Sequence, residues 1–252
     1  MSTQGGIYVF CAIPERNPKQ FGTVFLNGEE SKVYTIHHKQ VAIVVAKVND
    51  EVLPDRKNLF AHQNKISEVM KEYCLIPFSF GNVFHAEEDV LLICQHLTEE
   101  FEKLFSLLEN KIEVGLKIFP KQEWIEQEMK KDSVLIEWKK AEKNLSNPAA
   151  FYDQIQLGER AQNFVLLLQE EVEKKIYEPL SEIAEAGKLN NTIPGKVFLN
   201  AAFLVDLTNE KAFDQKVNDL YELWKEKVDF KYTGPWPVYN FVNIRLRIEG
   251  NS

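Results

Sequence analysis

The sequence predicts an α+β protein, in which strands and helices are mixed along a chain of 252 residues. Two continuous apolar runs, residues 7–13 and 41–48, are typical of buried strands. Other segments repeat apolar residues at the three- and four-residue spacing of amphipathic helices. Residues 112–119 instead alternate apolar and polar side chains, as a strand with one buried face does. Together these patterns favour sheets with helices packed against them.

The first half of the chain combines these strands with a helix. We predict a shorter strand at residues 33–36, just before the second apolar run, and a helix over residues 57–73. Residues 75–84 are largely apolar but contain Pro77 and Gly81. Because proline lacks a backbone N–H and is confined to the edges of sheets, we expect an irregular or edge strand there.

A small polar cluster follows, made of His85, Glu87, Glu88 and Asp89. We interpret it as a solvated turn before a strand that begins at Val90, and a metal or acid–base role is the alternative. A second amphipathic helix is predicted over residues 97–108, with acidic residues near its start as the helix dipole favours.

The second half opens with the alternating strand at residues 112–119 and continues with a highly charged stretch. After that stretch the pattern predicts a long helix over residues 161–176, a buried strand at 197–205 and a helix at 213–228. Residues 241–248 alternate again and predict a last strand. Short strand candidates lie near Asn191 and Phe230.

These elements predict two α+β domains. The boundary falls before the alternating strand, which gives an N-terminal domain of residues 1–110 and a C-terminal domain of residues 111–252. The charged stretch near residues 121–150 is expected to be a helical insertion in the second domain. The C-terminal domain is expected to be an open sheet that carries helices.

Composition narrows the class of protein. There are 38 acidic and 30 basic residues, for a formal net charge of −8, which argues against a general nucleic-acid binder and against binding to an anionic lipid membrane. The three cysteines are too few and too scattered for a disulfide framework. The first residues lack the pattern of a signal peptide, so we expect a soluble, intracellular protein.

Motifs that would indicate catalysis or metal binding do not occur in the sequence. There is no glycine-rich phosphate loop, no Cys-x-x-Cys or His-Glu-x-x-His pair and no Gly-x-Ser-x-Gly elbow. The adjacent His37 and His38 lie in a predicted strand, where their side chains would point to opposite faces. We therefore expect no catalytic residue, no cofactor and no metal, and we predict a binding or assembly protein.

An aromatic segment near the end of the chain is the most distinctive feature. Residues 230–242 contain five aromatic side chains, and Pro235 and Pro237 restrict the backbone around Trp236. We call Trp236, Tyr239 and the residues between them the aromatic corner. It is either a packing clamp or a docking surface, and Trp236 and Tyr239 are the candidate partner-binding residues.

Four segments, in this order, resemble the gas vesicle protein GvpF/GvpL family. They are Ile-Pro-Phe-Ser-Phe-Gly-Asn-Val-Phe at 76–84, Glu-Val-Gly-Leu-Lys-Ile-Phe at 113–119, Leu-Asn-Ala-Ala-Phe-Leu-Val at 199–205 and Thr-Gly-Pro-Trp-Pro-Val-Tyr-Asn-Phe at 233–241. The combination of the Gly-Pro-Trp-Pro and Leu-Asn-Ala-Ala segments is the specific part. The sequence departs from the family pattern at Ser79, where the family has Arg, and at Val238, where it has a second Pro.

The resemblance implies an accessory or minor component of gas vesicles, the gas-filled flotation organelles of aquatic microbes. It implies binding to the small hydrophobic shell protein, or to other accessory proteins, during vesicle nucleation and assembly. The protein would be cytoplasmic before assembly and then part of the gas vesicle. The resemblance also implies that the C-terminal domain is a modified ferredoxin-like sheet with helices on one face.

Two other classes of function remain open from the residues alone. A ferredoxin-like sheet also hosts small-molecule binding and enzymatic sites, because a fold does not determine a function. A deep pocket with convergent polar groups and shifted pKa values would favour that alternative. A purely structural wall protein is the other class, and the acidic, charge-rich composition argues against it.

Overall fold

The computed structural model describes residues 5–131 and 149–242. The described residues cluster into two compact units. Unit 1 contains the residues up to Glu113 together with those from Pro235 onward, and unit 2 runs from Val114 to Gly234. The residues after Gly234 thus cluster with unit 1, although they follow unit 2 in the chain. The domain division expected from the sequence stays a prediction.

Unit 1 is built on an antiparallel sheet, in which the strands follow the order β2-β3-β4-β1-β5 and β6 also pairs with β1. The strands are β1 (Gly6–Ile13), β2 (Gln20–Leu26), β3 (Glu29–His38), β4 (Val41–Val48), β5 (Ile76–Pro77) and β6 (Val83–Phe84). All eight residues of β1 are buried, so both faces of this strand are covered. This explains why its sequence is a continuous apolar run.

The sequence predicted most of these strands but missed one. The two apolar runs are confirmed as β1 and β4, the edge strand as β5 and β6, and the short candidate is the longer β3. Strand β2 was not predicted, because Gly22 interrupts its alternation. Gly22 has a positive φ of 67°, and the pairing of β2 with β3 shifts register between Gln20 and Thr23.

Two helices complete unit 1. Helix α1 (Arg56–Val69) is capped by Asp55, whose side chain accepts a hydrogen bond from the Asn58 N–H at 2.8 Å, and it contacts β1 and β2. Helix α2 (Glu87–Leu108) contacts β1 and β3 to β6. The α1 prediction is confirmed within a few residues at each end.

The predicted start of the second helix and the strand at Val90 are wrong. Helix α2 begins ten residues earlier than predicted, at Glu87, and Val90 is a buried residue of its first turns. The Asp89 carboxylate accepts a hydrogen bond from the Ala86 N–H at 3.1 Å, and acidic side chains in the first turn interact favourably with the helix dipole. The polar cluster is therefore the helix N-terminus rather than a turn before a strand.

Unit 2 has a four-stranded sheet in the order β10-β7-β9-β8. Along the chain its described elements are β7 (Lys111–Pro120), α3 (Gln122–Lys131), α4 (Ala149–Val172), a π-helical segment (Glu173–Tyr177), α5 (Glu178–Ser181), β8 (Ala186–Leu189), β9 (Leu199–Asp206), α6 (Glu210–Trp224) and β10 (Val228–Trp236). Grouped by type, these elements follow the β-α-β-β-α-β order of a split βαβ unit. The π-helical segment and α6 both contact β9, and α5 contacts α6, which places these helices on one face of the sheet.

Most sequence predictions in this half are confirmed. Strands β7 and β9 and helices α4 and α6 are confirmed as elements. Helix α4, however, begins at Ala149 rather than at residue 161 and ends at Val172 rather than at residue 176, and α6 ends at Trp224 rather than at residue 228. The short candidates correspond to β8, just before Asn191, and to β10, which contains Phe230. Of the predicted last strand at residues 241–248, only Phe241 and Val242 are described, and they are not in a strand. The rest of it, and residues 132–148 of the charged insertion, lie outside the described residues.

Aromatic side chains form much of the unit 2 core. Phe203 of β9 lies 5.3 Å from Phe213 of α6 and 5.5 Å from Tyr177, measured between ring centroids. Near α3, Trp124 contacts Phe198 and Trp224 edge-to-face. These contacts join the helices to the sheet, and the α+β prediction is confirmed.

Candidate functional site

A polar stripe on the buried face of α1 contains the almost fully buried histidine His62. Asn58, His62 and Lys65 are each at most 5% exposed, and they recur at helical spacing beside Ile66 and Val69. Burial of polar groups is costly unless they form hydrogen bonds. The partners of His62 therefore define the chemistry of this region.

His62 lies between two tyrosine hydroxyls. Its Nδ1 is 2.8 Å from Tyr8 Oη, and its Nε2 is 3.4 Å from Tyr239 Oη. The Gly81 N–H donates to Tyr8 Oη at 3.3 Å, which leaves the Tyr8 hydroxyl proton available to His62 Nδ1. The backbone of Phe78 also lies near the ring and favours its protonated form. Which partner donates in the contacts with Tyr8 and Tyr239 depends on which ring nitrogen of neutral His62 carries the proton.

Aromatic rings enclose this arrangement. Phe10 is stacked on the His62 ring at 5.7 Å between centroids, and Phe80 meets it edge-to-face at 5.6 Å. Phe10 and Phe80 also contact Tyr8 edge-to-face. We call the set of Tyr8, Phe10, His62, Phe80 and Tyr239 the His62 cluster. Its position shows that segments far apart in sequence meet on α1.

The enclosure shifts the acid–base properties of its members. Burial lowers the pKa of His62 to about 4, and the hydrogen bond to Phe78 opposes this shift. Burial raises the pKa of Tyr8 to about 12 and also raises that of Tyr239. At neutral pH all three side chains are therefore uncharged, as a tightly packed cluster requires.

The chain that follows β10 is held against unit 1. Val238 is buried, and a turn is closed by hydrogen bonds from the Phe241 and Val242 N–H groups to the Val238 carbonyl. Asn240 donates its backbone N–H and its side-chain amide to the carboxylate of the buried Glu113, at 2.9 and 2.6 Å. We call residues 237–242 the C-terminal strap.

The two candidate partner-binding residues have different positions. Trp236 is the last residue of β10 and is half-buried. Tyr239 belongs to the strap, and 37% of its surface is exposed although its hydroxyl contacts His62. The structure thus brings Tyr239 to the His62 cluster and gives it a packing role. Whether the aromatic corner binds a partner stays a prediction.

Sequence reasoning missed His62, Tyr8 and Glu113. A signal for His62 was available, since Asn58, His62 and Lys65 follow the spacing of the apolar stripe on the predicted helix. The contact of Glu113 with Asn240 had no sequence signal, because 127 positions separate the two residues. His37, which precedes His38 in β3, has its Nε2 2.5 Å from Thr35 Oγ1 and its Nδ1 3.4 Å from the Glu15 carbonyl oxygen.

The described part of the chain contains neither a metal-binding cluster nor a membrane-spanning helix. Among residues 5–131 and 149–242, no group of three or more His, Cys, Asp or Glu side chains could hold a metal ion. None of the helices in these ranges is both long and apolar enough to cross a membrane.

Comparison with known proteins identifies the family. The model of the gas vesicle synthesis protein GvpL/GvpF family matches residues 6–243. The chain belongs to the GvpL/GvpF family. Membership in this family associates the protein with gas vesicles.

Individual relatives agree with this assignment. The GvpL/GvpF chain is 24% identical to gas vesicle protein F1 of Halobacterium salinarum, over 86% of this chain and 84% of the relative. It is also 24% identical to gas vesicle protein F of a Nostoc species, over 95% of this chain and 98% of the relative. These relatives are named as gas vesicle proteins and not as enzymes.

Solved structures show the same fold. The crystal structure of the gas vesicle protein GvpF from Anabaena sp. PCC7120 superposes with a TM-score of 0.82 at 21% identity, over 96% of this chain and 100% of the other. GvpF from Microcystis aeruginosa gives 0.77 at 22% identity, over 95% and 99%. The family member described here therefore has the GvpF fold along nearly its whole length.

Proposed function

We propose that this GvpL/GvpF family member binds the small hydrophobic shell protein of gas vesicles, prevents its aggregation and supports vesicle nucleation and assembly. It acts in the cytoplasm before assembly and is then associated with the vesicle, where other accessory proteins are further partners. The observation that carries this proposal is the family match over residues 6–243. It is not an enzyme in this proposal and needs no cofactor.

The different surface properties of the shell protein and of this chain support the proposal that one covers the other. A wall that excludes water on its gas side requires apolar subunits, and such subunits aggregate through exposed apolar surface before they assemble. A partner with a formal net charge of −8 stays soluble while it covers such a surface. Burial shifts the pKa values of Tyr8 and His62, and both side chains are packed and almost fully buried. This favours a binding protein over the enzymatic alternative.

We propose the aromatic corner as part of the contact with the shell protein. Tyr239 exposes 37% of its surface, and it lines a cavity of unit 1 together with Val242 and residues 76–79. Aromatic side chains that are partly exposed and rigidly held are frequent anchors of protein interfaces.

The test is co-expression with the shell protein, followed by a pull-down and by measurement of the soluble shell protein fraction. The Trp236→Ala/Tyr239→Ala variant should lose most shell-protein capture while it keeps its folded circular dichroism spectrum. Phe60→Ala is the matched control, because Phe60 is an aromatic residue of α1 that is 67% exposed and lies outside the corner.

Each other result has a defined meaning. If the double variant unfolds, the corner is a packing clamp, and Tyr239→Phe then tests the hydroxyl alone. If the double variant folds and captures the shell protein normally, the corner is not the contact. If the unmodified chain neither retains the shell protein nor changes its aggregation, the proposed function is wrong.

A further inference from the structure

Strand β10 forms an outer edge of the unit 2 sheet. It is the terminal strand in the order β10-β7-β9-β8, and among the described residues no further strand pairs with its outer side. It is nine residues long, whereas β8 at the opposite edge has four. An edge strand presents backbone N–H and C=O groups that its own sheet does not use. Such an edge can accept an extended segment as an additional strand.

The contacts between β10 and β7 indicate which backbone groups face outward. The Lys121 N–H donates to the Lys227 carbonyl at 2.9 Å. The Thr233 hydroxyl lies 3.5 Å from the Gly115 carbonyl oxygen, so the two strands run antiparallel. Because the ladder alternates, every second residue after Lys227 directs its backbone groups to β7, and the residues between them direct theirs away from the sheet. These outward-facing residues are Val228, Phe230 and Tyr232.

Helix α6 borders this edge with aromatic side chains. Tyr221, which is 42% exposed, meets Phe230 edge-to-face at 5.6 Å between ring centroids. Phe213 is stacked on Tyr232 at 6.4 Å. Phe230 and Tyr232 are themselves partly exposed. Their side chains therefore lie on the α6 side of the sheet, and accessible aromatic surface adjoins their outward-facing backbone groups.

The same side of α6 is acidic. The Tyr232 hydroxyl donates to the Asp214 carboxylate at 2.7 Å. Burial raises the pKa of Tyr232, and the carboxylates of Asp214 and Glu210 raise it further, so Glu210 also lies near this residue. Lys225, just after α6, is paired with Glu222 at 2.5 Å. One end of the edge is thus aromatic, and the other is negatively charged.

We propose that β10 is a strand-accepting edge whose partner is an extended segment with a basic residue two positions from an apolar residue. Side chains on one face of a strand recur every second residue, as Phe230 and Tyr232 do. The apolar side chain of the partner packs on Tyr221 and Phe230. Its basic side chain pairs with the carboxylates of Asp214 and Glu210. Backbone hydrogen bonds to the edge provide affinity, and these two side chains select the sequence.

The proposal concerns unit 2 alone, and it does not depend on the aromatic corner or on binding of the shell protein. The probe is the peptide Thr-Val-Thr-Arg-Thr-Val-Thr, which places valine and arginine on one face in either strand direction. It is titrated into the full chain and followed by nuclear magnetic resonance. The backbone amide signals of Phe230 and Tyr232 should shift and their hydrogen exchange should slow, while the amide signals of β8 keep their positions.

Two control peptides separate backbone pairing from charge attraction. The same sequence with every backbone nitrogen methylated cannot donate hydrogen bonds, so it should leave the Phe230 and Tyr232 signals unshifted. The sequence with glutamate in place of arginine can form a strand, but its charge is repelled by Asp214 and Glu210. It should bind at least about tenfold more weakly than the arginine peptide.

A matched pair of variants tests the carboxylates. Asp214→Asn keeps an acceptor for the Tyr232 hydroxyl but removes the charge, so it should lower the affinity for the arginine peptide by about fivefold. Asp219→Asn removes an equal charge from the exposed part of α6, where Asp219 accepts from Gln215, and should bind as the parent chain does. If Asp214→Asn fails to fold, the control peptides with the unmodified chain decide the question.

Four results would overturn the proposal. The arginine peptide could leave the β10 amides unshifted or shift those of β8 equally. The methylated peptide could bind as tightly as the unmethylated one, or the two aspartate variants could weaken binding equally, which would mean charge attraction without strand addition. The β10 signals could also shift with protein concentration alone, which would make a second copy the occupant. Because the shell protein is not used, none of these results bears on the proposed function.

Discussion

Single buried polar residues in unit 1 are stabilised by specific partners. The Lys65 ammonium, which is 5% exposed, donates to the Phe21 carbonyl at 2.6 Å and pairs with Glu68 at the same distance. Thr98 donates to the Cys94 carbonyl, and Glu113 accepts from Asn240. An unpaired buried polar group costs about 1–3 kcal/mol of stability. A substitution at one of these residues is therefore tolerated only if its former partner still has a hydrogen bond.

The cysteines allow a prediction at the scale of residues. Burial raises the pKa of Cys11, and it raises the pKa values of Cys74 and Cys94 to about 11. Only Cys74 is partly accessible. At pH 8 a thiol of this pKa is only about 0.1% thiolate, so labelling of the native chain by a disulfide reagent should be slow.

The rate of labelling is measured by absorbance, and the modified cysteine is identified by mass spectrometry. Cys74 should react first, and all three thiols should react rapidly in denaturant. Cys74→Ser serves as the control and should remove the first phase. Labelling of Cys11 at the rate of Cys74 in the folded chain would contradict this expectation.

The strands and helices of unit 1 are positioned by turns and caps whose backbone conformations are encoded locally in the sequence. Strands β2 and β3 are joined by Asn27 and Gly28, whose φ angles of 53° and 83° are those of a tight hairpin turn. The Asn27 N–H donates to Asn58 Oδ1 at 2.8 Å, which ties the turn to the start of α1. The hairpin thereby aligns the edge strand with the helix that covers it.

Two glycine substitutions test whether the β2–β3 turn requires the positive φ of Gly28. Gly28→Val should lower the free energy of unfolding by about 1–2 kcal/mol, because a branched side chain is strained at positive φ. Gly158 of α4 is the matched control, since a Cβ added there meets no atom within 4 Å. Gly158→Ala should raise helix stability by up to about 1 kcal/mol.

Urea unfolding followed by circular dichroism compares the two variants with the parent chain. Opposite signs are expected, because one glycine occupies a turn and the other the interior of a helix. Equal stability of the Gly28→Val variant and the parent chain would show that the turn does not need this conformation.

At the scale of the whole molecule, the chain leaves unit 1 after Glu113 and returns to it at Pro235. The returning strap supplies Val238, Tyr239 and Asn240 to unit 1. Unit 1 is thus completed by residues more than 100 positions away from its other members. Stability of the N-terminal sheet therefore depends on the end of the described chain.

Truncation after Gly234 tests this dependence. The shortened chain loses both hydrogen bonds to Glu113 and the burial of Val238, so unit 1 should be destabilised by at least about 2 kcal/mol. Hydrogen exchange of peptides from β1 should accelerate by at least about tenfold, whereas peptides from β9 in unit 2 should change little. Unchanged protection of β1 in the truncated chain would refute the prediction.

The sequence by itself determined the α+β class, the apolar strands β1, β4 and β9, and the family, because periodicity and local motifs are properties of neighbouring residues. It gave weaker information where local signals conflict. The Asn27-Gly28 turn signal was present, but Gly22 disrupted the strand before it, and the acidic residues at 87–89 resembled a turn although they start a helix.

Only the tertiary structure decided which distant residues meet. His62, Tyr8 and Tyr239 come from a helix, a strand and the C-terminal strap, and Glu113 reaches Asn240 across 127 positions. No spacing rule in a single sequence records such contacts, because they arise when the chain folds back on itself to bury apolar surface and to satisfy buried polar groups.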